Sequence, residues 1–295
     1  MRIIRFEASD GPRLGLKINS AASYLDLSGA LQQYFEEPEP IRDVTALAEV
    51  GLLNVLKLAE VISFINERRL EAQLQLNAEP KPLAPSARPP KIICLGLNYR
   101  GHAKELTRPA PSEPIFFAKA STSVIGPGDA VVCQPAYGRV DPEVELAFII
   151  SQPAKDVPLH QAMSYVGGYT VLNDFTAREM QARDMAASQP WYRSKSLNTF
   201  CPLGPEVVLK DEITQPGNLR LEMRVNGEVR QSDNTANLIF DIPFLVSYLS
   251  SYLTLEPGDI VATGTPEGIA PVKSGDQMEA WVEGIGVLNN PVEQA

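Results

Sequence analysis

Short apolar runs, some alternating with polar residues and some continuous, are separated along this chain by Gly, Pro, Asn and Asp, a pattern that predicts many short strands and few helices. Arg2–Ala8 and Leu14–Ile18 read as strands around an Asp10-Gly11-Pro12 turn. Leu47–Leu76 instead places apolar residues at helical spacing, among them Leu53, Leu56, Ala59, Val61 and Phe64. Residues 77–90, NAEPKPLAPSARPP, form a Pro-rich semi-rigid connector and the best place for a domain boundary. Beyond it, Lys91–Gly96, Val124–Val132, Val140–Ile150, Ile260–Thr263 and Gln277–Glu283 read as strands. Arg220–Val225 turns through Asn226-Gly227 into Glu228–Gln231, a hairpin signature. Ala162–Tyr165, Ala177–Ala187 and Ile242–Tyr252 are the candidate helices. The expected fold is a β-rich α+β protein: a small N-terminal domain over residues 1–76, then a rolled or barrel-like set of mixed sheets over residues 91–295.

One strand breaks the pattern. Val140–Ile150 ends in an apolar run, yet it carries Glu143 and Glu145, which alternation places on the same face about 7 Å apart. One wet face would explain the pair, and Glu-x-Glu is commonplace on such a face. Against that, the face continues through Ala147 and Ile149. If the face is buried, two unpartnered carboxylates cost several kcal/mol or take up a proton, and a cation between them removes both problems.

Four other clusters could carry chemistry. His102 and Glu105 stand three residues apart and face each other if the segment is helical, an arrangement that orients an imidazole as a general base and also occurs as a plain surface pair. Asp174 ends an apolar strand just before Thr176, so either could cap the following helix while Asp174 also offers an oxygen to a cation; Arg178 and Gln181, one turn apart, could face a substrate. Lys195 lies in a mostly apolar, Pro-punctuated stretch, where a buried ammonium would want a carboxylate or a substrate anion. Thr263-Gly264-Thr265-Pro266 ends a strand in a tight turn able to present N–H groups and a hydroxyl.

The net charge of −10 argues against nucleic acid or an anionic membrane as partner. A small anionic substrate stays compatible, because a bound metal reverses the local sign. Cys94, Cys133 and Cys201 form no CxxC or Cys/His cluster and read as free thiols in a reducing compartment. The N-terminus lacks a signal-peptide core and no apolar run approaches membrane-spanning length, so a soluble cytoplasmic protein is expected.

Six motifs then fall in a recognisable order: Asn98-Tyr99-x-x-His102-x-x-Glu105, Pro114–Lys119, Glu143-x-Glu145-Leu146, Asn173-Asp174-x-Thr176-Ala177-Arg178, Lys195-Ser196-x-x-Thr199-Phe200-x-Pro202-x-Gly204-Pro205 and Thr263-Gly264-Thr265-Pro266-x-Gly268. Over about residues 91–292 this resembles the fumarylacetoacetate hydrolase family. The resemblance implies a mixed β-sandwich roll, a homodimer and a Mg²⁺ or Mn²⁺ ion. It implies that Glu143, Glu145 and Asp174 are the metal ligands and that His102 and Glu105 form a water-activating dyad on a mobile lid. It also places Lys195 near the metal-bound water and substrate, with Lys119, Arg178, Gln181 and Thr265 lining the pocket. Pro142, Asn198 and Glu179 depart from the commoner pattern, at positions that bear on substrate choice rather than on the ligands.

Three carboxylates with no nitrogen or sulfur ligand make a hard oxygen site suited to Mg²⁺ or Mn²⁺. The expected substrate is a 2-oxo or 1,3-diketo acid that chelates the ion and passes through an enolate. With a complete dyad, C–C bond hydrolysis of an acylpyruvate-like substrate is the leading expectation. Oxaloacetate decarboxylation and isomerisation or tautomerisation of a 2-oxo diacid are the alternatives on the same site. A non-catalytic metal- or ligand-binding protein is the alternative from another class.

Overall fold

The computed structural model describes residues 1–18, 23–76, 80–105 and 109–295. The first three residues of the Pro-rich connector, 77–79, lie outside the described residues. The fold is mixed α+β and strand-rich. Among the described residues the larger sheet runs Leu25–Asp26, Gly11–Lys17, Arg2–Ala8, Cys201–Leu209, Val166–Asn173, Val144–Ile150, Ile260–Ala262, Ile92–Gly96 and Ile115–Lys119 from edge to edge. The smaller sheet runs Glu228–Asn234, Arg220–Val225, Gln277–Val282, Gly286–Gln294 and Val131–Cys133.

Side-chain alternation on Val144–Ile150 builds two cores. Leu146, Phe148 and Ile150 pack between the sheets with Leu221, Met223, Met278 and Leu288. Ala147 and Ile149 point the other way, into a core made with Leu14, Leu27, Leu47, Leu53 and Val61. The N-terminal residues therefore cover the second face of the large sheet. They also extend it, because Arg2 and Ile3 pair with Val208 and Val207. All seven residues of Val144–Ile150 are buried, which removes the wet-face reading of Glu145.

Local expectations are met in part. Asn226 and Gly227 both have positive φ, as the hairpin turn requires. The helix Ile242–Tyr252 has the expected bounds. The segment Leu47–Leu76 is broken into separate helices, the longest being Val55–Arg68 capped by Asn54. That helix buries Leu58, Val61 and Ile65, while Leu56 is exposed, so the apolar stripe is shifted from the one expected. No helix among the described residues is long and apolar enough to cross a membrane.

The topology gathers several strand ends at one end of the large sheet. Val144 opposes Asn173 in an antiparallel pair, so the start of one strand meets the end of the other. Ile260–Ala262 and Ile92–Gly96 run parallel, with Ala262 beside Cys94, and both exit at that same end.

Candidate functional site

Glu143 and Glu145 leave the start of one strand and Asp174 leaves the end of its neighbour, tied by Asp174 N–H donating to Glu143 O at 2.9 Å. Glu143 precedes the strand proper, and its N–H is fixed by Asn173 Oδ1 at 2.8 Å. The three carboxylates are buried, and each offers an oxygen within 4.8 Å of the other two.

Cations crowd two of the three. Lys195 Nζ lies 2.7 Å from Glu143 Oε2 and 2.5 Å from Asp174 Oδ2, with its ammonium over the Phe117 ring. Arg178 donates Nη2 to Glu143 and Nε to Asp141. Burial alone would raise the Glu143 carboxyl, but Lys195 and then Arg178 outweigh it and hold it well below the usual carboxylate range. Burial alone would lower Lys195, and Asp174 and Glu143 reverse that and push the ammonium above its ordinary value. Glu145 differs. It accepts Gly264 N–H at 2.7 Å and has no ion-pair partner among the described residues. Burial, then the negative charge of Asp174, push its carboxyl well above the usual range. Gly264 is required at this contact: its φ is +99° and a Cβ would stand 2.9 Å from Asn98 Cβ.

An all-carboxylate donor set with one member lacking any cation suits a hard divalent ion. Burial and Asp174 favour the protonated form of Glu145, so cation uptake is expected to release a proton there and the affinity to rise with pH. Calorimetric Mn²⁺ titrations in buffers of different ionisation enthalpy are expected to show that release and a dissociation constant that falls from acid to neutral pH.

The dyad forms as the spacing predicts. Arg100–Glu105 is helical, and the His102 ring and Glu105 Oε2 are 3.0 Å apart through Nδ1. Glu105 Oε1 accepts Gly268 N–H at 3.0 Å, which ties the helix to the turn after Ala262. A Cβ at Gly268 would lie 2.1 Å from Arg230 O, so this turn also needs its glycine. His102 is 5% exposed and lines a cavity of about 240 Å³ with Glu143, Glu145, Arg178, Gln181, Lys195 and Thr265. Leu95, Phe117, Met185 and Trp191 supply apolar wall.

Lys119 needs a correction. The resemblance implies a pocket-lining residue, but its side chain is fully buried behind Asp174, bonded to Oδ1 at 2.6 Å and to Lys195 O. It buttresses the site and does not line the cavity. Replacing it with Met is expected to lower unfolding free energy by about 3 kcal/mol in urea titrations, because a buried ion pair loses one partner. The capping reading is corrected too. Thr176–Ala177 pairs with Val140–Asp141, the helix starts at Arg178 without a side-chain cap, and Asp174 is left to the lysines.

Thr265 lines the cavity, but its hydroxyl is already engaged, donating to Val144 O at 3.0 Å and accepting from Gln231 Nε2 at 2.9 Å. Gln231 is buried and also accepts Val144 N–H at 3.0 Å, so one amide reaches from the smaller sheet to fix both the carboxylate strand and the turn. Neither Gln231 nor Asp141 was singled out by the sequence. Asp141 stood in plain view as a third acid beside Glu143, whereas nothing in the sequence marks Gln231 as buried. Cys94 and Cys201 are buried free thiols, and burial pushes Cys201 up to about 12, which leaves it unsuited to nucleophilic work.

The chain is similar to known proteins over most of its length. Residues 91–293 match the model of the fumarylacetoacetate (FAA) hydrolase C-terminal domain. The human mitochondrial oxaloacetate tautomerase FAHD2A is 38% identical, with 99% of this chain and 91% of that protein covered. A fumarylacetoacetate hydrolase from Exiguobacterium antarcticum superposes with a TM-score of 0.82 at 31% identity over 100% of both chains. A 5-carboxymethyl-2-hydroxymuconate delta-isomerase from Mycobacterium smegmatis superposes at 0.76 and 32% identity, covering 100% of this chain and 99% of that one.

Proposed function

The chain belongs to the fumarylacetoacetate hydrolase family of enzymes, and we propose that it moves a proton between the keto and enol forms of a small 2-oxo dicarboxylic acid. The observation that carries this reading is His102, held by Glu105, opening onto the same small cavity as the buried carboxylates Glu143 and Glu145. At about 240 Å³ the cavity is below the roughly 300–1,000 Å³ typical of drug-sized ligand sites, which favours a short acid. A full-length relative that is an oxaloacetate tautomerase supports the same choice.

Glu143, Glu145 and Asp174 would hold the divalent ion, Mg²⁺ or Mn²⁺, whose Lewis-acid charge lowers the cost of negative charge on the 2-oxo oxygen. The remaining work falls to the protein. A carboxylate only accepts, so Glu105 takes the Nδ1–H of His102 and leaves Nε2 as the basic nitrogen. Nε2 removes the proton from the carbon beside the 2-oxo group and returns it to the oxygen, and the reverse path regenerates the ketone with no net change in atoms. Arg178 and Gln181 bind the polar end of the substrate, while Phe117, Met185 and Trp191 exclude water around its carbon chain.

C–C bond hydrolysis remains the second reading, favoured by the fumarylacetoacetate hydrolase that superposes over the whole chain. In that case the same dyad activates a water instead of a carbon acid. Product identification separates the readings. With Mg²⁺ or Mn²⁺, enol–keto conversion of oxaloacetate well above the buffer rate, without pyruvate or CO₂, is the expected result. Pyruvate and acetate from acetylpyruvate would favour hydrolysis, pyruvate and CO₂ from oxaloacetate would favour decarboxylation, and no turnover would favour a binding protein.

A further inference from the structure

Asp141 takes no part in the carboxylate triad, yet its side chain is 0% exposed beside the cavity. Its two oxygens are divided between two arginines: Oδ1 accepts from Arg139 Nε at 2.7 Å and Oδ2 from Arg178 Nε at 2.9 Å. The backbone holds this arrangement in place. Asp141 pairs with Thr176, and Arg178 N–H donates to Arg139 O at 2.8 Å. Arg178 then spends its other edge toward the cavity, with Nη1 donating to Gln181 Oε1 at 2.9 Å and Nη2 donating to Glu143.

These partners are unequal. Glu143 belongs to the carboxylate triad, so its oxygen on Nη2 would also be called on by a cation held there. Asp141 lies outside the triad and gives Oδ1 to Arg139, while its Oδ2, held on Nε, fixes the plane of the rigid Arg178 guanidinium. A guanidinium so held offers its Nη edge to a second carboxylate in fork geometry, which a point charge such as Lys195 cannot do.

We propose that Asp141 is a positioning residue that keeps the Nη edge of Arg178 aimed into the cavity and thereby makes the site prefer acids with a second carboxylate. This rests on reading the cavity as a site for small 2-oxo acids. Without the Asp141 charge, Arg178, whose side chain is 20% exposed, is free to turn toward solvent or to remain on Glu143.

Malate and lactate are unreactive 2-hydroxy acids with and without the second carboxylate, and their binding to the Mn²⁺-loaded protein can be compared by calorimetry. The wild type is expected to favour malate by about tenfold, the value of one charge-assisted contact. Asp141→Asn should bring that ratio close to one and leave the Mn²⁺ dissociation constant unchanged, while the melting temperature falls because a buried charge is removed from between two arginines. Arg178→Lys, which keeps the charge but loses the edge that Asp141 holds, should do the same to the ratio, and the double variant should lose no more than either. The lysine variant decides the matter if Asp141→Asn does not fold. An unchanged ratio in these variants overturns the proposal, as does a wild type without preference. Malate, lactate and Mn²⁺ affinities falling together in Asp141→Asn would make Asp141 merely structural and overturn it too. A wild type that prefers malate but does not turn over oxaloacetate overturns the proton-transfer reading and leaves the role of Asp141 standing.

Discussion

Glutamine in place of Glu145 is expected to abolish tight binding of a divalent cation and, with it, turnover. Glu143 and Asp174 already have Lys195, Lys119 and Arg178 as counter-charges, so Glu145 is the carboxyl whose ionisation is left to balance a further cation. Glutamine keeps the size of the side chain and an oxygen for Gly264 N–H. It removes only the ionisable charge. Loss of a residue that merely supports a ligand costs about 10- to 100-fold in metal affinity, so loss of a ligand itself should cost at least about 100-fold. The cation-free variant should be no less stable than the wild type, because a buried carboxyl without a cation partner is exchanged for a neutral amide. Mn²⁺ calorimetry and urea unfolding of the same sample separate the two effects. Wild-type Mn²⁺ affinity in this variant would remove Glu145 from the site.

His102→Gln is expected to leave the cation in place and lower kcat by roughly 10²- to 10⁴-fold, the range for losing a general base. The imidazole is buried and held through Nδ1 by Glu105, which is itself anchored to Gly268 N–H, so its orientation is set before substrate arrives. Glutamine occupies a similar volume and donates to Glu105, but it takes up no proton near neutral pH. Steady-state kinetics should show the loss in kcat with KM little changed. A loss confined to KM would make His102 a binding residue and move proton transfer elsewhere.

The sequence carried the chemistry further than the framework. Glu143 and Glu145 stood out because charge interrupts an apolar run, and side-chain parity with Ala147 and Ile149 pointed to the buried face. His102 and Glu105 needed only one helical turn to meet. Lys119 could be placed near the site by resemblance, but which side of Asp174 it occupies depends on strand packing that a single chain does not spell out. Cys201–Leu209, a strand paired on both sides, was missed because Pro202 and Pro205 argue against a central strand. The ladder accommodates Pro205 where its register shifts between Val208 and Gly204, while Pro202 lies outside that shift, beside Ile125. The pairing of Arg2 with Val208 was equally hidden, since residues far apart in sequence carry no local trace of their partnership.

The most direct test is the rate of oxaloacetate enol-to-keto conversion, followed by loss of enol absorbance, before and after EDTA and again after Mn²⁺ or Mg²⁺ is restored. Wild-type protein should fall to the buffer rate with EDTA and recover with the ion, while Glu145→Gln stays at the buffer rate throughout. Wild-type and Glu145→Gln protein converting the enol equally fast, with or without EDTA, would contradict the assignment of the three carboxylates as the heart of the site.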